Sequence, residues 1–128
     1  MNTTRQTGRQ GEQAAVDWLF ANGYNVVKRN YLCPGGEIDI IAETKEYIIF
    51  VEVKFRMDQP YKEKYGRPGL KVNESKKTHL QIAAGNYLAQ SGARKKPRFD
   101  VIEITGDDKL VPGFVVLEIT HTPNAFRW

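Results

Sequence analysis

Four side chains stand out for the chemistry they could do together: Glu12, Asp39, Glu52 and Lys54. Glu52 and Lys54 lie two apart in residues 47–55, YIIFVEVKF. So many β-branched and aromatic residues predict a strand in the middle of a sheet. Residues two apart on a strand share a face, so this carboxylate and ammonium project together. Charges in such a strand are costly to bury unless each is paired or binds a metal. A bare Glu-x-Lys is most simply an ion pair on an exposed face, but Asp39 shifts that balance. It lies in a predicted strand over 37–44, and Lys45-Glu46 can form a two-residue turn into the next strand. Counting outward from that turn sets Asp39 opposite Glu52 on one face. Two facing carboxylates repel, and one pKa rises, unless a cation lies between them.

With oxygen ligands, the expected cation is Mg²⁺ or Mn²⁺, held by Asp39, Glu52 and the backbone carbonyl of Val53. Such an ion polarises a phosphoryl oxygen and acidifies a bound water. Lys54 can orient that water or stabilise charge developing on the phosphate. Glu12 precedes Ala15, Val16 and Leu19 by three, four and seven residues, beside the inward stripe of a predicted helix. From there it can extend the metal shell or position a second ion. Gly8 and Gly11 flank it and leave room for a ligand. Taken alone, Glu12 is more simply what the helix dipole favours in a first turn.

Charge patterning points to a polyanion. Residues 1–53 hold 5 basic and 7 acidic side chains, 54–98 hold 12 and 3, and 99–128 hold 2 and 5. The positive charge is thus gathered in one block, as expected for a nucleic-acid partner, although a solvated lysine-rich surface has the same composition. Within the block, Arg56, Lys76, Lys77, Arg94 and Lys96 are the candidate phosphate contacts.

The elements that must position these groups follow from periodicity. A helix is expected over 9–22, with Gly23 as its stop, and strands over 24–32, 37–44 and 47–55. Residues 56–71 have two prolines, two glycines and no period, and read as a mobile loop. Asn73 can cap a second helix over 74–91. Two more strands, 99–104 and 114–120, and an aromatic tail that docks on the body complete the chain. The order α-β-β-β-α-β-β predicts an α/β fold with a mixed central sheet flanked by helices.

The 128 residues, 41% of them hydrophobic, suit one globular domain over 1–128. No apolar run reaches the roughly 18 residues of a membrane span, and the polar N-terminus lacks a secretory core. The lone Cys33 can form neither an internal disulfide nor a cysteine-cluster zinc site. A cytoplasmic protein is expected. No phosphate-binding glycine loop of the Walker or dinucleotide type is present, and His79 and His121 have no ligand partner at close spacing.

The segments GRQGEQAAVDWLFANGYNVVKRNY, GGEIDIIA, IIFVEVKFR, KKTHLQIAAGNYL, RFDVIEI and the terminal NAF, taken in order, resemble the YraN-like family. That family resembles the restriction-endonuclease-like PD-(D/E)XK nucleases, with Holliday-junction resolvases as the nearest functional cousins. The resemblance covers nearly the whole chain. It implies a restriction-endonuclease-like α-β-β-β-α-β core and metal-dependent cleavage of nucleic acid, with branched DNA and a homodimer by analogy with resolvases; DNA is expected as the partner ahead of RNA. Carried over by position, the motif acid is Asp39, preceded by Ile38 where the motif has proline, the Glu-x-Lys pair is Glu52 and Lys54, and the first-helix acid is Glu12. The alternative expectation is a catalytically silent or partner-activated nucleic-acid-binding module.

Overall fold

The computed structural model describes residues 4–57, 74–92, 94–107 and 115–127. Its elements are α1 (Thr4–Ala21), β1 (Asn25–Cys33), β2 (Gly36–Glu43), β3 (Tyr47–Met57), α2 (Glu74–Ser91), β4 (Lys96–Asp107) and β5 (Val115–Phe126). The expected element order is present. The strands form one mixed sheet in the order β1-β2-β3-β4-β5. β1 to β3 form an antiparallel meander, β3 and β4 are parallel, and β4 and β5 are antiparallel. A parallel pair requires a long crossover, and α2 lies within it.

β3 has a core on each face. Ile49, Val51 and Val53 pack with Ala15 and Leu19 of α1, while Ile48 and Phe50 pack with Leu80, Ala83 and Ala84 of α2. This explains why the segment is apolar almost without a break. The Lys45-Glu46 turn forms as expected: the Thr44 N–H donates to the Tyr47 carbonyl at 2.9 Å, and the Tyr47 N–H donates to Thr44 Oγ1 at 3.1 Å.

Several boundaries differ from expectation. α1 begins at Thr4 and runs through Gly8 and Gly11. An internal glycine costs a helix roughly 1 kcal/mol without breaking it. A Cβ at Gly11 would fall inside the Phe55 ring, so the room expected there for a ligand is filled by Phe55. Arg56 and Met57 belong to β3 rather than to the 56–71 loop; the remainder of that loop lies outside the described residues. β5 continues past residue 120 to Phe126, which stacks on Phe99 with centroids 4.8 Å apart. The tail thus docks as a strand. Pro123 is tolerated because β5 is an edge strand, where a missing N–H need not break the ladder.

α2 lies close against the β1–β2 hairpin. A Cβ at Gly36 would meet the His79 carbonyl oxygen at 2.5 Å and the Ala83 nitrogen at 2.8 Å. Both are helix backbone atoms, so no rotamer change relieves the clash. Gly36→Ala is expected to cost about 1–3 kcal/mol, read as a lower thermal midpoint. An unchanged midpoint would show that α2 does not press on Gly36 in solution.

On the α1 side of the sheet a second polar cluster closes over Asp100, which has no exposed surface. Arg98 donates from Nε and Nη2 to its two oxygens, both at 2.8 Å. His121 Nε2 lies 2.7 Å from Oδ2, and the Asn124 N–H donates to Oδ1 at 3.0 Å. Trp18 Nε1–H donates to His121 Nδ1 at 3.2 Å. The indole donor fixes the His121 proton on Nε2, which therefore donates to Asp100.

Candidate functional site

The site begins where the sheet forks. β2 and β3 stay paired from Glu43↔Ile48 to Ile40↔Val51, the register expected from the turn. Beyond that pair, β2 continues beside β1 to Gly36, and β3 continues beside β4 to Met57. Asp39 sits at the fork, and its Oδ2 accepts the Val53 N–H at 2.8 Å. The side chain replaces a ladder partner for an amide that the fork would otherwise leave unsatisfied.

Glu52, beside Val53, is only 6% exposed and points toward α2. Its carboxyl group is hydrogen-bonded to that of Asp39. Burial pushes the Glu52 pKa up to about 7; the nearby Asp39 charge adds to the rise, and Lys76 opposes it. Burial also raises Asp39, against the Val53 N–H and Lys76. The hydrogen bond between them acts in opposite senses, raising Glu52 and lowering Asp39. The expected meeting of these two acids is therefore present, although the ladder ends one residue short of pairing them.

Glu12 comes within electrostatic range of Asp39 from α1. Its pKa is raised by burial and then by the Asp39 charge, with Arg29 opposing. Among the described residues, Glu12 Oε1 is a buried oxygen with no hydrogen-bond partner. An acceptor in that position lacks a donor or a cation. No group of three or more acidic, histidine or cysteine side chains closes into a metal cage among the described residues. Two adjoining carboxyl groups with a third nearby suit a hard cation that keeps most of its water, as Mg²⁺ does.

Lys54 follows Glu52 on the same face of β3. Its register neighbour on β4 is Glu103, 2% exposed. The sequence reading passed over Glu103, although VIEIT places an acid in an apolar strand just as VEVKF does. It also did not foresee where Lys76 points. Its Nζ lies 3.3 Å from Glu52 Oε1 and 3.4 Å from Glu37 Oε1. A groove of about 280 Å³, lined by Leu32, Gly35, Gly36, Glu37 and His79, opens beside this cluster.

The other basic candidates are dispersed. Lys77 is 3.4 Å from Glu74 and lies over the Phe126 ring at 5.6 Å. Arg94 and Lys96 are exposed, and Lys96 pairs with Tyr47 at the opposite end of β3 from Lys54. At ~3.3 Å per residue, the Lys96 backbone is about 16 Å along the strands from the level of Glu52. The Arg56 side chain lies outside the described residues. The block that is contiguous in sequence is thus not a single patch around the carboxyl pair. No described helix is long and apolar enough to cross a membrane.

A family profile described as "Uncharacterised protein family UPF0102" matches residues 11–104, a stretch that holds all four candidate site residues. A UPF0102 protein of Desulfosudis oleivorans is 46% identical over 112 residues, covering 87% of this chain and 88% of its own. One from Thermodesulfovibrio yellowstonii is 37% identical over 121 residues, covering 94% and 96%. A third, from Symbiobacterium thermophilum, is 42% identical over 102 residues, covering 79% and 83%. Matches that cover most of this chain and most of each relative leave one conclusion about kinship: the chain belongs to the uncharacterised protein family UPF0102.

Proposed function

We propose that this protein is a cytoplasmic, divalent-metal-dependent endonuclease that hydrolyses phosphodiester bonds in DNA, with branched DNA as its substrate class. One observation carries the reading: Asp39 and Glu52 are buried together at the fork, and an orphaned Glu12 oxygen belongs to a side chain that feels the Asp39 charge. Such an arrangement costs stability unless a cation is taken up. Asp39, Glu52 and the Val53 carbonyl would hold the ion, with Glu12 completing the shell. When bound, a divalent ion supplies charge stabilisation to a phosphoryl oxygen and acidifies water. Lys54, two residues along the same face, orients the attacking water and stabilises charge building on the phosphate. The groove lined by Glu37 and His79 would give a substrate strand a path toward that face. A single site cuts one strand, so symmetric cleavage of a junction requires two copies.

A second reading, a nucleic-acid-binding module without turnover, is favoured by Lys76, which already neutralises part of the acidic cluster. The two separate in one experiment. Wild type and Asp39→Ala are incubated with labelled single strands, duplex, flap, four-way junction and structured RNA, in Mg²⁺, Mn²⁺ or chelator. Cleavage of branched DNA that requires both metal and Asp39 is expected. Salt-sensitive binding without cleavage on every substrate would favour the binding module.

A further inference from the structure

Lys76 enters the site from the first turn of α2 and brings its ammonium to 3.3 Å from Glu52 Oε1. Its second partner, Glu37, lies at 3.4 Å and is about half exposed. The charges of Glu52, Asp39 and Glu37 all act on the ammonium in the same sense. Lys76 is therefore a cation already seated on one of the carboxylates assigned to the metal. A hard ion contacts carboxylate oxygen at roughly 2.0–2.6 Å. An ammonium on that same oxygen would stand a few ångströms from a doubly charged ion in a poorly screened pocket, where like charges repel strongly. The two cations compete for Glu52.

We infer that Lys76 is the site's resident counter-cation, that a divalent ion binds by displacing it from Glu52, and that the released ammonium becomes a contact for the polynucleotide phosphate. This rests on the metal reading above. The side chain is suited to exchange. It is 40% exposed, it hangs on a flexible four-carbon stem, and lysine is a compact point charge rather than a planar fork locked to one carboxylate. Glu37, at the rim of the groove, keeps a partner for it after it leaves Glu52. The sequence assignment of Lys76 to phosphate contact and its position among carboxylates in the fold then describe two stages of one residue.

The test uses two readouts on chelator-stripped protein at about pH 8.5, where ordinary carboxylates are ionised and lysine remains charged. Mn²⁺ binding is followed by electron paramagnetic resonance for wild type, Lys76→Met and Asp39→Asn. Lys76→Met is expected to bind Mn²⁺ at least about tenfold more tightly than wild type, and Asp39→Asn to lose binding. In wild type, pulse acetylation read by mass spectrometry is expected to modify Lys76 several-fold faster with Mn²⁺ bound. Lys77, paired with Glu74, serves as the internal standard. Equal or weaker Mn²⁺ binding by Lys76→Met, or Lys76 acetylation that Mn²⁺ does not accelerate, overturns the exchange and leaves the metal site standing. Failure of both wild type and Lys76→Met to bind Mn²⁺ overturns the metal site and the exchange together.

Discussion

Glu52→Gln is expected to lose about 10³-fold in metal-dependent cleavage while making the metal-free protein more stable above pH 7. The two effects share one cause. Folding moves Glu52 from water, where its carboxyl ionises near 4.5, to a buried site beside Asp39, where it ionises near 7. The folded state therefore binds more protons than the unfolded state between those values. Stability falls as pH rises from about 4.5 to about 7 and stays reduced above it. A shift of that size corresponds to a cost on the order of 3 kcal/mol. Glutamine keeps the shape of the protonated acid and cannot ionise, so it removes the cost together with the ligand charge. Chemical denaturation in chelator at about pH 5 and about pH 8.5 measures this. Wild type weakens between the two, and Glu52→Gln changes little. A variant no more stable than wild type at the higher pH would show that Glu52 is not destabilised by ionising in the fold.

Asp100→Asn is expected to destabilise the fold by about 3–5 kcal/mol, enough to unfold much of a marginally stable domain. Asp100 accepts from Arg98 twice, from His121 and from the Asn124 N–H. All four hydrogen bonds are donated to it, and only an ionised carboxylate offers acceptors on both oxygens. An asparagine would turn its NH₂ against the guanidinium or against the His121 Nε2–H and leave a buried cation partly unpaired. Burial alone would raise the Asp100 pKa, but its donors outweigh burial and hold it below the ordinary range. The contribution is thus present above the pKa of the unfolded acid, near 3.9, and is lost as pH falls through the lower folded value. A urea midpoint within experimental error of wild type would mean that the cluster contributes little to holding β4, β5 and α1 together.

Much of this architecture is legible in the sequence because periodicity reports which faces are buried. The YIIFVEVKF run predicts a central strand with cores on both sides, and the Lys45-Glu46 turn sets a register that the β2–β3 ladder follows to Ile40↔Val51. The meeting of Asp39 and Glu52 is legible for the same reason, since a hairpin converts sequence spacing into spatial pairing. The fork is not, because it depends on β2 staying with β1 while β3 stays with β4. Lys76 is hidden similarly. Whether a lysine on α2 faces solvent or carboxylates depends on how a crossover helix seats over the sheet, and Gly36 lets it seat closely. The Asp100 cluster joins residues from α1, β4 and β5, so no local spacing announces it. The available signal was RFDV, where Arg98 and Asp100 fall on one face of a strand with apolar neighbours.

The hydrogen bond from the Val53 amide to Asp39 bears on how lineages of this fold can lose an activity. The donor is main chain and is kept by every substitution except proline, so a descendant without catalysis still needs an acceptor at position 39. The described partners of Glu52 are instead the side chains of Asp39 and Lys76. Under relaxed selection, drift would reach Glu52 before Asp39, which persists as carpentry. A relative retaining the acid at position 39 is therefore not shown to be active by that residue alone. The informative comparison is whether the acid at position 52 survives beside it.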